Sequence, residues 1–132
     1  MHGQRYAFKM SQLAEVMNPV KSWPIPLTPP CYTGAINFHG TIVAVMDLAS
    51  FFGYVFTPGV EKIIVLDPNV ASLGFLVERV ERIVPAREVE FKDTDIYMAS
   101  ASLSLPEGDA ILLDVDAIVS EAESRIIDSK LI

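Results

Sequence analysis

Cys31 and His39 are residue types that could carry out covalent chemistry, and they lie eight positions apart. A thiolate beside an imidazole is a common nucleophile, but it depends on spatial geometry and on a third group that orients the base. No such group can be identified. Cys31 follows Pro29 and Pro30, a setting typical of a small buried hydrophobic residue. We therefore predict no catalytic residues.

Few residues in the sequence could form a metal or cofactor site. The chain has one cysteine and two histidines, so neither an internal disulfide nor a cysteine–histidine metal cluster is expected. Its glycines are scattered singly, as turns would place them, and no glycine-rich phosphate loop is present. The sequence predicts neither a metal nor a cofactor.

Asp47 and Asp114 each precede apolar residues at helical spacing. An aspartate at this position accepts hydrogen bonds from free backbone amides and suits the positive end of the helix dipole. A metal or catalytic role would need converging partners, and none is visible. We predict that both residues are helix N-caps.

Composition and charge limit the class of protein. The chain has 132 residues, 51% of them hydrophobic, enough for one domain with a core. No apolar run reaches the ~20 residues of a membrane span, and no signal peptide is visible. The net charge of −7 comes entirely from residues 68–132, and no basic face suggests nucleic acid. A soluble cytoplasmic protein without direct membrane insertion is expected.

An internal repeat has an offset of 67 residues. Residues 6–17 (YAFKMSQLAEVM) match residues 73–84 (LGFLVERVERIV) in their apolar pattern. Residues 44–52 (AVMDLASFF) match residues 111–119 (ILLDVDAIV) at the same offset. Halves of about sixty residues are marginal alone, so we expect them to share one core.

The local pattern favours short strands. Residues 36–38 and 41–46 flank His39-Gly40, a hairpin signal, and residues 62–66 and 73–77 flank another turn. Such spacing is typical of small barrels or sandwiches. A short helix is predicted over residues 11–17, because Leu13, Val16 and Met17 fall on one helical face.

The first half has no counterpart of the strand at 63–66, since the matching positions fall before Met1. Either the chain is a truncated version of a longer pattern, or its first barrel is one strand short. The unpaired edge at residues 6–8 would then favour strand addition or a homodimer. Alternatively, residues 124–128 could return to cover it.

Five of the nine prolines lie within residues 18–30, together with Trp23. This composition predicts an extended, semi-rigid strap. Two interpretations remain open: a strap across the barrel with Trp23 tucked inward, or an exposed edge with an aromatic anchor for a partner.

Residues 34–48 (GAINFHGTIVAVMDL) resemble the signature hairpin of CheW-like domains. Residues 13–16 and 23–26 resemble the family's short helix and crossing segment, and residues 62–84 and 110–119 resemble its second subdomain. The resemblance implies a mainly β fold: two intertwined small SH3-like β-barrels that share one hydrophobic core, with short helices. It implies a single CheW-like domain over 1–132, with subdomains at about 6–56 and 62–119 and a C-terminal helix or tail at 120–132.

The function implied by the resemblance is a non-enzymatic adaptor in chemosensory signal transduction. Such proteins couple the cytoplasmic tips of chemoreceptors to a CheA-type histidine kinase. The receptor-side residues implied by the resemblance are Leu13, Glu15, Asn37, His39 and Gly40. The alternative is a small β-barrel that binds a peptide or ligand outside chemotaxis.

The chain departs from the family pattern in three ways. His39 replaces the usual arginine, Ala44 replaces the usual proline, and the usual first strand is absent. Histidine ordinarily titrates between pH 5 and 8, whereas arginine is always charged. We therefore predict a weakened, pH-dependent receptor contact at His39.

Overall fold

A computed structural model describes residues 4–26, 28–54 and 61–130. Nine strands and two helices follow in chain order within these residues: β1 (Tyr6–Ala7), β2 (Leu13–Met17), β3 (Tyr32–Phe38), β4 (Thr41–Asp47), α1 (Leu48–Phe51), β5 (Lys62–Leu66), β6 (Leu73–Val77), β7 (Glu90–Lys92), β8 (Ala99–Leu105), β9 (Gly108–Leu113) and α2 (Val115–Lys130). Single 3₁₀ turns span Met10–Gln12 and Ala86–Glu88.

The strands form two sheets. One has four strands in the order β1-β9-β8-β7, and the other has five in the order β2-β5-β6-β4-β3. The predicted mainly β class with few helices is confirmed. No hydrogen-bonded pairing between described strands joins the two ends of either sheet, so both sheets are open rather than closed barrels.

The pairing of strands in the two sheets reproduces the 67-residue repeat of the sequence. Tyr6 on β1 pairs in parallel with Ile111 on β9. Leu73 on β6 pairs in parallel with Ala44 on β4, which is the same pair with the two halves exchanged. The first half therefore lends β1 to the sheet built mainly by the second half, and the second half lends β5 and β6 to the sheet built mainly by the first half. This exchange makes the two halves intertwined.

The predicted N-caps are confirmed at both helices. An Asp47 carboxylate oxygen accepts a hydrogen bond from the Ser50 amide at 3.2 Å, at the start of α1. The Asp114 carboxylate accepts from the Ala117 amide at 3.1 Å, at the start of α2. Each cap satisfies a backbone amide that would otherwise lack a partner within its helix.

One large apolar core takes residues from both halves. Its buried members are Cys31, Met46, Leu48, Phe51, Leu66, Leu73, Phe75, Leu113, Val115, Ile118 and Ala122. Among these, Phe75 and Ile118 are fully enclosed. Because strands and helices of both halves fill the same interior, neither half keeps a complete core without the other.

The predicted short helix over residues 11–17 is wrong. A 3₁₀ turn ends at Gln12, and residues 13–17 form β2, which pairs antiparallel with β5. Leu13, Val16 and Met17 fit a helical face as well as a strand with a register shift after Leu13. The backbone hydrogen-bond partners on β5 are distant in sequence. Pairing with them makes residues 13–17 a strand rather than a helix.

The C-terminal alternative is also wrong. Residues 124–128 belong to α2, which runs to Lys130, so they do not return as a strand beside β1. On its inner side, α2 buries Ile118 and Ala122 in the main core.

The proline-rich strap crosses the outer edge of β3. Backbone hydrogen bonds of 2.8 Å run in both directions between Trp23 and Ala35. Gly34 permits this approach, because a Cβ there would lie 2.5 Å from the Trp23 carbonyl oxygen. The Trp23 side chain stays half exposed, with the Lys21 ammonium 5.7 Å from its ring centre. The inward-tucked interpretation of Trp23 is therefore wrong.

Candidate functional site

The turn between β3 and β4 forms the centre of the site. His39 (φ 50°) and Gly40 (φ 87°) both have left-handed backbone conformations, as a two-residue hairpin turn requires. The Asn37 side-chain oxygen accepts a hydrogen bond from the Gly40 amide at 2.8 Å and braces the turn. Glycine adopts such a conformation without strain, which explains its place in the signature.

Glu15 lies beside this turn. Its Oε1 is 3.6 Å from Nε2 of His39, and the two side chains are 44% and 74% exposed. The Phe38 ring meets the imidazole edge-on, with ring centres 4.5 Å apart. The arrangement presents a carboxylate and an imidazole side by side to solvent. At this exposure the pair contributes only about 0–1 kcal/mol to stability, so both side chains remain available to a partner.

Leu13 lies apart from this group. It pairs with Leu66 across β2 and β5 and packs, partly buried, against the main core. The structure thus brings together Glu15, Asn37, His39 and Gly40, while Leu13 anchors β2 from the inside.

Ile42 belongs to the same surface and was missed by the sequence analysis. It pairs with Asn37 across the hairpin and is 65% exposed. The signal was present in the alternation of β4, where Ile42 precedes the buried Val43 and must face the other side of the sheet. We define the hairpin surface as Glu15, Asn37, His39, Gly40 and Ile42.

The cysteine–histidine nucleophile is excluded by distance. Cys31 precedes β3 and His39 follows it, and seven extended residues span about 23 Å. Cys31 is buried, and this burial raises the pKa of its thiol. No group of three or more His, Cys, Asp or Glu side chains within the described ranges could hold a metal ion. None of the described helices is long and apolar enough to span a membrane.

Comparisons with known proteins agree with this geometry. The family model of the CheW-like domain matches residues 1–123. The chain is 29% identical over 124 residues to the chemotaxis protein CheW of Thermotoga maritima, covering 89% of this chain and 82% of that protein. The crystal structure of the scaffolding protein TtCheW from Thermoanaerobacter tengcongensis superimposes with a TM-score of 0.71 at 22% identity, covering 84% and 82% of the two chains.

The structure combines two interleaved sheets, a shared core and a signature hairpin held in shape by a hydrogen bond. Within the described residues, no cluster of metal-ligating side chains accompanies them. This is the architecture of a small β scaffold. The chain belongs to the CheW-like domain family, as the match over residues 1–123 shows. The predicted family resemblance is confirmed. Family membership and the relatives support a scaffold or adaptor of chemotaxis, and they do not favour a peptide- or ligand-binding module outside chemotaxis.

Proposed function

We propose that this chain is a non-enzymatic adaptor that couples the cytoplasmic tip of a chemoreceptor to a CheA-type histidine kinase. The family match and the chemotaxis relative support this function. The observation that carries it is the contact between Glu15 and His39, because two receptor-side residues that are distant in sequence lie on one exposed surface.

The receptor would bind the hairpin surface. Glu15 supplies a carboxylate, and His39 supplies an imidazole. Ile42 supplies an exposed apolar side chain, and the Asn37–Gly40 hydrogen bond holds the turn in shape. Leu13 would act from the core side by fixing the position of β2. Because the turn is already held in shape, binding of the receptor to this surface does not cost the conformational entropy of ordering a loop.

The kinase would bind the ends of both halves. These halves would act as intertwined subdomains at about 6–56 and 62–119, with residues 120–132 as a tail. Each sheet, curled over its own small core, would serve as an SH3-like barrel in this assembly. The site of action would be the cytoplasm, where receptor tips and the kinase meet.

Co-sedimentation with a receptor fragment and the kinase tests this function. We expect the wild-type chain to sediment with both, and Glu15→Arg to lose the receptor fragment. Asp93→Arg is the matched control, since it reverses an exposed acidic residue away from the hairpin surface and should bind normally. Absence of wild-type co-sedimentation, or equal binding by Glu15→Arg, would contradict the proposal.

A further inference from the structure

Aromatic side chains from both halves meet beside the end of α1, where the two halves join. The Tyr6 and Phe52 rings stack with their centres 5.9 Å apart, and the Tyr97 ring meets Phe52 edge-on at 6.4 Å. A side-chain hydrogen bond links Tyr54 to Tyr6. Ile96 precedes Tyr97 in the chain and is also exposed. We define the joint surface as Tyr6, Phe52, Tyr54, Ile96 and Tyr97.

The joint surface is exposed and is held in one shape. Tyr54, Ile96 and Tyr97 are 41%, 44% and 56% exposed. The Ile96 carbonyl accepts a hydrogen bond from the Ala99 amide at 3.1 Å, and the Thr94 hydroxyl accepts one from the Ile96 amide at 3.2 Å. Exposed tyrosines on a preformed surface are typical of protein-binding sites, because a large ring is buried there at little cost in conformational entropy.

Two carboxylates border the joint surface. Asp93 and Asp95 are exposed in the loop just before Tyr97, and neither forms an ion pair with a residue that the structure describes. The Arg125 guanidinium lies beside Tyr97, but Glu121 already pairs with it at 3.1 Å. The joint surface is therefore aromatic, with a local excess of negative charge. A complementary segment would carry a positive charge beside apolar groups.

The proline-rich strap of the same chain has these complementary properties. Lys21 is the only charged residue within positions 18–30, and its ammonium lies 5.7 Å from the ring centre of the half-exposed Trp23. Pro24 and Pro26 follow and are also exposed. Extended proline-rich segments bind to surfaces lined with aromatic rings, because proline fixes the backbone before binding. The strap thus presents a stiff apolar segment with one positive charge.

We propose that the strap of one copy of this chain binds the joint surface of a second copy. Trp23 packs on the exposed ring of Tyr97. Lys21 lies beside the carboxylates of Asp93 and Asp95, which have no other cation to pair with among the described residues. The contact shares no residue with the hairpin surface and does not depend on the proposed receptor coupling.

The strap of the same chain does not cover the joint surface. Backbone hydrogen bonds of 2.8 Å between Trp23 and Ala35 hold the strap on the outer edge of β3. In this position Trp23 and Tyr97 both stay about half exposed, so both surfaces are open to another molecule. Because the contact joins two different surfaces, it is heterologous, and association can continue beyond a dimer.

The strap itself supplies the probe. A fluorescein-labelled peptide with the sequence of residues 18–26 (NPVKSWPIP) is titrated with the 132-residue chain, and anisotropy is measured. We expect saturable binding. A peptide carrying Trp23→Ala should bind at least about fivefold more weakly, because it lacks the aromatic anchor. No receptor or kinase is present, so the result is independent of the proposed function.

Two protein variants locate the site. Tyr97→Ser removes the exposed ring and should weaken peptide binding at least about fivefold. Ile83→Ser changes an isoleucine that is 70% exposed outside the joint surface, and it should leave peptide binding unchanged. Absence of saturable binding to the wild type, or equal binding by Tyr97→Ser, would overturn the proposal.

An exchange of charges tests the contact without removing a ring. A peptide carrying Lys21→Glu should bind the wild-type chain about two- to fivefold more weakly, because its charge is then repelled by the two carboxylates. Asp95→Lys in the protein should restore the binding of this peptide. A failure of this exchange to restore binding would contradict the proposed contact.

Sedimentation velocity of the whole chain tests the second copy as the occupant. The average mass of the wild type should rise with concentration, whereas Trp23→Ala and Tyr97→Ser should each stay closer to the monomer. A wild-type chain that binds the peptide but stays monomeric would show that another proline-rich segment is the natural occupant, and it would overturn the proposal.

Discussion

Glu15 Oε1 lies 3.6 Å from His39 Nε2, although β2 and the β3–β4 turn belong to opposite edges of the five-stranded sheet. The sheet therefore curls until its two edge strands approach each other, without a backbone pairing that closes it. This curl turns two distant stretches of sequence into one hairpin surface. The position of Glu15 beside the turn depends on β2 being a strand paired with β5.

The first prediction concerns the side chain at the hairpin turn. If the receptor prefers a cation there, His39→Arg, which is always charged, should bind the receptor more tightly than the wild type does at pH 8. An exposed pair supports an effect of about two- to fivefold. Isothermal titration with a receptor fragment measures it.

His39→Ala is the matched variant for this experiment, because it removes the imidazole and leaves Gly40 in the turn. Its affinity should be lower than that of the wild type. Unchanged affinity in His39→Ala would contradict a receptor contact at this residue.

The second prediction concerns Gly34. A Cβ there would lie 2.5 Å from the Trp23 carbonyl oxygen, and the φ of 148° is also unfavourable for alanine. Gly34→Ala should push the strap away and destabilise the protein by about 2 kcal/mol or more, with a change in Trp23 fluorescence. Urea unfolding followed by fluorescence measures both effects.

Gly40→Ala provides the comparison. Its φ of 87° also disfavours alanine, but no atom lies within 4 Å of a Cβ there. The expected cost is only about 1 kcal/mol, from backbone strain alone. Equal losses in the two variants would show that contact with the strap is not what requires glycine at position 34.

Local chemistry explains which features the sequence could predict. The His39-Gly40 turn and the Asp47 and Asp114 caps depend on residues within a few positions of one another, and the repeat needs only comparison of the chain with itself. β2 could not be predicted in this way, since Leu13, Val16 and Met17 suit either conformation. Only pairing with β5, about fifty residues away, makes them a strand.

The exchange of strands between the two halves could not be predicted from the sequence either. The sequence suggested that the first barrel could be one strand short. In the structure, β1 leaves its own half and pairs with β9, in the sheet that the second half builds. An apolar pattern reports which segments are strands, but not which partner each strand chooses.

The third prediction tests the equivalence of the two caps. Asp47→Ala and Asp114→Ala each remove one side-chain hydrogen bond to a helix amide, so each should lower the free energy of unfolding by about 1 kcal/mol. Urea unfolding measures it. Asp93→Ala, at an exposed loop position, should change stability by less than about 0.5 kcal/mol. A neutral result at either cap would contradict its structural role.

The fourth prediction concerns Glu107, whose carboxylate receives two hydrogen bonds from the Arg82 guanidinium, at 2.6 and 2.9 Å. This pairing lowers the pKa of Glu107 to about 2. Because the pKa is depressed in the folded state, the stabilisation is complete above about pH 4.5 and is lost as the pH falls towards 2.

NMR titration of the Glu107 carboxyl group measures this pKa directly. In Arg82→Gln it should rise towards its ordinary value, whereas Arg79→Gln, which removes a neighbouring arginine paired with Glu81, should leave it low. An ordinary pKa in the wild type would show that the ion pair does not persist in solution.

The fifth prediction separates a structural thiol from a reactive one. Cys31 is only 4% exposed, and burial raises the pKa of its thiol, so both access and thiolate formation are suppressed in the folded protein. A thiol reagent at pH 8 should label Cys31 only after urea is added. Ser124→Cys, at an exposed position of α2, should react at once under native conditions and confirm that the reagent works. Fast native labelling of Cys31 would instead require an open path into the main core, and that would contradict the packing that joins the two halves.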